Sequence, residues 1–422
     1  MRPMAEQQIR RRNYKALLTE GSLFFTGMAF IDVNAVIPVF IFAYTQSVLL
    51  AGLATTIHFA ASTVLQIFVG PYVKSIRNVP AYVTRIMFLF RPLPFIMIPL
   101  LFLCASPWLT AGIFLVIYTL LCAGDGLIFV PWTDLFSRTI NTEKRGQLLG
   151  NQLLFGGAGA LLAGLVVKTV LDNPNLVDDQ RYAVIFGGAG IALTLSAVAM
   201  SFSRDLPRKI EAIRPNHRQY YKALPHYFRR HPDFIQVVVI RILSSIAAMI
   251  APFIIIYGQT QAQLPVEAIS TLITIQIIGG LLGGVIWGGI SRRCGNPMVI
   301  KLTQICGFVL AASMVLIALA VRQSLTPYLF WTLILINGIN MSSWIGFMNH
   351  TIDIVSDDER TIYLLISNLM TFPFTFLPFF TGLFVSRFGY LPVFIISTLA
   401  AAVAAWQAWN MKLPPDRLYR PE

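Results

Sequence analysis

The chain has 422 residues, 56% of them hydrophobic and 12% charged, with a formal net charge of +13 and a mean hydropathy of +0.68. An ordinary soluble domain carries about 25% charged residues, so the composition excludes a water-soluble globule. The positive charge alone would fit a nucleic-acid binder, but its placement along the chain answers to a membrane instead.

Apolar runs of about 20 residues recur along nearly the whole sequence, the length a helix rising ~1.5 Å per residue needs to cross a ~30 Å hydrocarbon core. A stretch such as 112–130 is almost continuously apolar, unlike the ~10-residue alternating segments of a membrane barrel. The predicted fold class is therefore an all-α membrane protein. In chain order, spans are expected near 21–43, 48–70, 83–104, 108–131, 147–171 and 182–202, then near 234–257, 266–290, 299–321, 326–349, 362–385 and 389–411. Arg10, Arg11 and Arg12 lead into the first run with no small-residue cleavage signature after it, so that run is expected to remain as a span. Cys104, Cys122, Cys294 and Cys306 lack metal-type spacing, and neither a disulfide framework nor a metal site is expected. No cofactor motif is present, and the lack of a nucleotide-binding motif argues against ATP-driven work by this chain alone.

The longest polar interruption, 203–233, holds Arg204, Arg208, Lys209, Arg214, Arg218, Lys222, Arg229 and Arg230. It divides the chain into an N-terminal six-helix bundle (1–202), a basic linker and a C-terminal six-helix bundle (234–422). Lys74, Arg77, Lys144, Arg145, Arg292 and Arg293 fall on the same side as this linker, whereas the opposite loops hold only Arg181, Arg322, Arg387 and Lys168 at a span end. The positive-inside rule then places both termini and the linker in the cytoplasm, with anionic lipid headgroups as neighbours of the basic loops. The cell membrane of a bacterium is the expected location, with no nucleic-acid partner and a monomeric state.

Ionisable groups inside a bilayer are costly and usually face an interior cavity. Asp32 lies about 11 residues into the first span, roughly 16 Å deep, where a carboxyl can exchange a proton or meet a cationic solute; the alternative is a permanent structural ion pair. Asp125, in Gly124-Asp-Gly126, and Arg91 on the preceding span come to similar depth if the two spans are antiparallel neighbours. Their pairing would be a static salt bridge or a gate that breaks and re-forms. Thr55, His58, Ser62 and Gln66 share one face of the second span, and His58 is a further proton carrier or a hydrogen-bonded packing residue. Arg241 in the seventh span is a site for an anionic group, or else reaches for headgroups. Asn337, Asn340 and Trp344 fall on one face of the tenth span, fit for hydrogen bonding and stacking to a solute or for gluing helices together. Gly280, Gly284 and Gly288 on the eighth span, with Gly156, Ala160 and Gly164 on the fifth, form small-residue stripes for close helix packing. Pro38, Pro252, Pro373 and Pro378 are places where spans can bend.

Several polar segments recur in the two halves. The fourth span runs into Trp132-Thr-Asp-Leu-Phe-Ser-Arg-Thr-Ile-Asn-Thr-Glu-Lys-Arg145 and the tenth into Asn349-His-Thr-Ile-Asp-Ile-Val-Ser-Asp-Asp-Glu-Arg360, each acidic and then ending in Arg. Gly70-Pro-Tyr-Val-Lys-Ser-Ile-Arg-Asn78 corresponds to Gly288-Gly-Ile-Ser-Arg-Arg-Cys-Gly-Asn296. This repeated six-span unit, with its basic central loop, resembles the major facilitator superfamily over essentially the full length. The resemblance implies twelve helices in two pseudo-symmetric bundles, a cavity lined by the first, fourth, seventh and tenth spans, and Arg145 and Arg360 as salt-bridge or gating residues alongside Arg91 and Asp125. The family's Gly-x-x-x-Asp-Arg/Lys-x-Gly-Arg loop is only partly kept, because Lys74 and Arg292 stand at the Asp positions. The cytoplasmic charge latch that this Asp joins in the family is expected to be missing or built differently. The Gly-Pro motif of the drug/proton antiporters is absent from the fifth span.

The function these features imply is a secondary active transporter that moves a small organic or amphiphilic solute by alternating access. Proton coupling through Asp32, Asp125 and His58 is expected, with efflux as the preferred direction and solute contacts at Asp32, Arg241, Asn337, Asn340 and Trp344. A facilitative uniporter or importer, and a non-transporting receptor or assembly factor of the same build, are the alternatives. An enzyme is not expected, since His58 is the one histidine well inside a span and no catalytic constellation surrounds it.

Overall fold

In hydrocarbon no water is available to the peptide groups, so a spanning chain must close its hydrogen bonds within itself. The computed structural model describes residues 3–104, 106–140, 142–206, 232–320, 326–355 and 360–411, and every regular element among them is helical. Among the described residues, eleven helices are long and apolar enough to cross a membrane: Val48–Gln66, Val79–Leu103, Pro107–Thr139, Gln147–Leu171, Asp178–Ser201, Pro232–Thr260, Ala268–Cys294, Asn296–Leu319, Tyr328–Asp353, Ile366–Phe388 and Leu391–Trp409. The first span escapes this test because it is broken, Pro3–Phe30 being followed by a turn and then by the short apolar helix Val36–Thr45. With it the chain has the twelve-helix fold. The first helix also begins far upstream of the predicted residue 21, an extension that matters at Glu20.

The chain divides into two compact units, Met1–His217 and Arg218–Glu422. Within the first, the first span packs on the fifth and sixth, the second on the fourth and the third on the sixth. The second unit repeats these pairings, the seventh span meeting the eleventh and twelfth, the eighth the tenth and the ninth the twelfth. Lipid tails are as apolar as leucine, so these pairs are held by close packing rather than by expulsion of water. A side chain on Gly126 would run into the backbone of Ser62, and one on Gly159 into Thr26. Between the eighth and tenth spans, Gly279 and Gly283 lie against the backbone of 335–339 and Gly338 against that of Gln276. The packing face of the eighth span is thus one residue away from the predicted stripe, for Gly284 and Gly288 have nothing within 4 Å of such a side chain.

Five spans are interrupted. The first breaks between Phe30 and Val36, the third between Phe90 and Pro94, and the tenth between Met341 and Trp344, while the seventh and eleventh pass through 3-10 segments at Ala248–Phe253 and Phe372–Phe376. Breaks release backbone groups that the bilayer cannot satisfy, and neighbouring side chains take several of them. Thr55 donates to the Val33 carbonyl at 3.2 Å, Ser397 to that of Ala247 at 2.5 Å and the Trp287 indole to that of Ile339 at 2.8 Å. Pro252 and Pro373 lie inside the 3-10 segments, and Pro378 opens the helix after the second of them.

A charge cluster closes one end of the first unit. Arg138, at the end of the fourth span, bridges Asp134 at 3.0 Å and Asp205 at 2.8 Å, and Asp205 accepts from the Val79 amide at 3.0 Å, the start of the third span. The expected departure from the family's loop latch therefore coincides with ion pairs built on Asp134 and Asp205. The side chains of Lys74, Arg145 and Arg360, and residues 207–231 of the linker, lie outside the described residues.

Candidate functional site

The fourth span sets the geometry of the first unit. Tyr118, Cys122, Asp125 and Trp132 are spaced by four, three and seven residues, so they share one helical face and read as a polar seam through apolar surroundings. The second span approaches this seam closely because Gly126 has no side chain. His58 Nδ1 consequently lies 3.0 Å from the Tyr118 hydroxyl and 3.7 Å from Cys122 Sγ. Its neighbours on the predicted polar face are also engaged, Thr55 with Val33 and Ser62 with the His58 carbonyl. Of the three predicted proton carriers, His58 thus meets the seam at Tyr118 and Cys122, Asp125 belongs to the seam one turn from Cys122, and Asp32 stands at the break of the first span, whose Val33 carbonyl is held by Thr55, one turn from His58.

Asp32 does not stand in an ion pair among the described residues. Its carboxylate accepts the amides of Asn34 at 3.0 Å and Ala35 at 2.8 Å, and its own carbonyl accepts the Ile37 amide at 3.0 Å. It holds the break in the first span from within, a role open to Asp because its short side chain can fold back on the next few amides.

Arg91 is buried, with 3% of its side chain exposed. It stands at the turn between Val79–Phe90 and Pro94–Leu103 and does not reach for headgroups. Nη1 is 3.0 Å from Glu20 Oε1 and also donates to Ser196, while the guanidinium lies over the Phe24 ring at 4.8 Å. The predicted partner Asp125 is the more distant one, 3.9 Å from Nε. The second Glu20 oxygen accepts from the Trp132 indole at 3.0 Å. Glu20 was missing from the sequence-derived candidates because the apolar run begins at Gly21. The signal for it was its spacing to Phe24 on a helix that continues without interruption from Pro3.

In the second unit, Arg241 donates to the Ser367 hydroxyl at 2.7 Å and to the side-chain amide oxygen of Asn368 at 3.0 Å. Among the described residues no carboxylate comes within ion-pair distance of it. Asn337, Asn340 and Trp344 are not brought together. Asn337 is buried and donates to Gln276 at 3.0 Å, tying the tenth span to the eighth. Asn340 points its amide towards Gly307 on the ninth span, and Trp344 is 51% exposed at the start of a new helix. The shared face assumed a continuous helix, and the turn at Ser342 and Ser343 ends that register.

An open cleft of about 520 Å³ lies at the rim of the first unit, lined by Asn78, Thr84, Arg85, Arg204 and Asp205 among others. It contains none of the seam residues. Among the described residues no three His, Cys, Asp or Glu side chains gather as a metal site.

No curated protein matches the chain in sequence. Solved structures do match in fold. A D-xylose-proton symporter aligns at a TM-score of 0.67 and 14% identity, covering 95% of this chain and 97% of its own. A bacterial homologue of the human lysosomal transporter Spinster, in an inward-facing and occupied conformation, gives 0.64 and 15% over 95% and 96%. A bacterial homologue of the iron transporter ferroportin, in an inward-facing state, gives 0.64 and 13% over 96% and 98%. At such identities the likeness is one of fold. The sequence itself matches the family model described as Major Facilitator Superfamily over residues 21–372, and with that span of agreement the chain belongs to the Major Facilitator Superfamily of transporters.

Proposed function

We propose that this protein is a proton-coupled secondary transporter of a small organic solute, working by alternating access in the cell membrane of a bacterium with both termini in the cytoplasm. One observation carries the coupling: His58 on the second span meets Tyr118 and Cys122 on the fourth, the helix face that also carries Asp125, in the interior of one unit. Titratable groups are expensive at such depth, and a histidine held by a hydroxyl and a thiol, one turn from a carboxyl on the same seam, is suited to taking up and releasing a proton. Arg241 is the proposed contact for an anionic group on the solute, since neutral oxygens alone hold its guanidinium among the described residues. Asp32 is the proposed contact for a basic one. The likeness to a proton symporter of the same fold is in keeping with coupling, and efflux is the proposed direction.

The test is flux in liposomes. Solutes that raise the thermal stability of the purified protein are loaded opposite an imposed pH gradient. Expected is solute movement that follows the gradient and is lost in Asp32→Asn and Asp125→Asn. Movement indifferent to the gradient would make the protein a facilitative uniporter, and binding without movement a receptor.

A further inference from the structure

The cluster around Arg91 holds two carboxylates against one guanidinium. Arg91 and Glu20 have side chains 3% and 4% exposed, and Asp125 is 25% exposed. Among the described residues, the surrounding groups come from five spans. The first span supplies Glu20, the Phe24 ring and, at its break, Asp32, the third Arg91, and the sixth the Ser196 hydroxyl. The second supplies His58, which lies beyond Cys122, and the fourth itself carries Tyr118, Cys122 and Trp132. Among the described residues, no second cation lies within ion-pair distance of either acid.

The two acids are not equivalent. Each oxygen of Glu20 receives a donor at 3.0 Å, one from Arg91 and one from Trp132. Charge-assisted hydrogen bonds of this kind are the strong ones. Asp125 has only Arg91 Nε, at 3.9 Å, and that buried nitrogen makes no hydrogen bond at all. An uncompensated second anion in a poorly solvated site is costly and is relieved by taking up a proton. We infer that Glu20, Arg91 and Asp125 form a one-proton site, in which Glu20 is the standing counter-ion of Arg91 and Asp125 carries the exchangeable proton.

This inference rests on the proton-coupled reading and gives the proton an address. On release, the O–H bond of the Asp125 carboxyl breaks, the proton passes to water on its exposed side, and a carboxylate remains facing Arg91 Nε. The guanidinium then has two anionic partners and an idle donor 3.9 Å from the second. Because Arg91 sits at the turn between two half-helices and is followed by Pro92 and Pro94, its movement towards Asp125 would be taken up as bending of the third span. Proton occupancy is thereby tied to helix shape.

The test needs no solute. Infrared difference spectra between acid and alkaline buffer are recorded on the full-length protein in lipid, in an Asp32→Asn background so that this carboxyl does not contribute. Charge counting fixes the outcomes. The parent loses the C=O stretch of one buried protonated carboxyl as pH rises. Asp125→Asn abolishes that signal, and Glu20→Gln abolishes it too, because Arg91 then pairs with Asp125 and one acid faces one base. Arg91→Gln doubles it. A parent without the signal, or a signal that persists unchanged in either Asp125→Asn or Glu20→Gln, overturns the inference. Absence of flux in the liposome experiment would sink the transport reading while leaving this result standing.

Discussion

Arg91 is a residue whose cost and use come from the same place. A guanidinium buried among membrane helices is tolerable only while its partners remain, and removing one member of a buried pair typically costs about 3–5 kcal/mol. Arg91→Leu is therefore expected to destabilise the protein by about that amount, since Glu20 and the Ser196 hydroxyl are left facing an apolar side chain. Chemical unfolding in detergent measures it, and a loss under about 1 kcal/mol, the size of an exposed pair, would show that water reaches the site freely. The sequence exposed half of this arrangement. Arg91 and Asp125 stand out because charge is rare inside an apolar run. Glu20 does not, because hydropathy marks where a run of apolar residues starts and is blind to a helix that continues past it. The coupling of Tyr118 and Cys122 to His58 was equally hidden, as such residues are common in spans and only the approach of the second helix gives them a role.

At the scale of the helix, span positions were legible and span interiors less so. The bilayer imposes a length and a polarity on every crossing, and these are written directly in composition. Interruptions follow other rules. Pro252 and Pro373 announce theirs, but the first span breaks at Ile31-Asp-Val-Asn-Ala35 and the tenth at Ser342-Ser343, with no proline at either turn. Asp32 holds the first of these from within, but both also lean on a donor from another helix, Thr55 or Trp287, which local pattern cannot supply. Helix faces are likewise fixed by partners. Gly279 and Gly284 lie on one span and differ by little in sequence context, yet a side chain on Gly279 meets the Leu335 carbonyl whereas one on Gly284 meets open space. Gly279→Ala is expected to lower stability by about 1–3 kcal/mol through overpacking against backbone. Gly284→Ala is expected to be neutral or slightly stabilising, because alanine favours helix by roughly 0.5–1 kcal/mol. Thermal unfolding of the two variants side by side decides it, and equal effects would mean that the eighth and tenth spans do not pack through these glycines.

For the whole molecule, the repeat seen in the loops reappears as repeated packing, each unit pairing its second span with its fourth and its first with its sixth. That correspondence was readable because both halves keep acidic and basic residues at matching connections. Orientation rests on the placement of Lys and Arg alone. A single cysteine at position 218, in a background lacking the four natural cysteines, is expected to react with an impermeant reagent only when the cytoplasmic face is open. Labelling in intact cells would reverse the proposed topology.

The indole of Trp132 is bonded to Glu20 through its N–H and stacked on Phe136 at 5.3 Å. Indole emission shifts with the field along the ring and with the partner of its nitrogen. With the other six tryptophans replaced, Trp132 becomes an optical gauge set against the carboxylate that holds Arg91. A change of charge or position at that pair acts directly on the indole through this bond, and it can be followed in real time without attaching a dye.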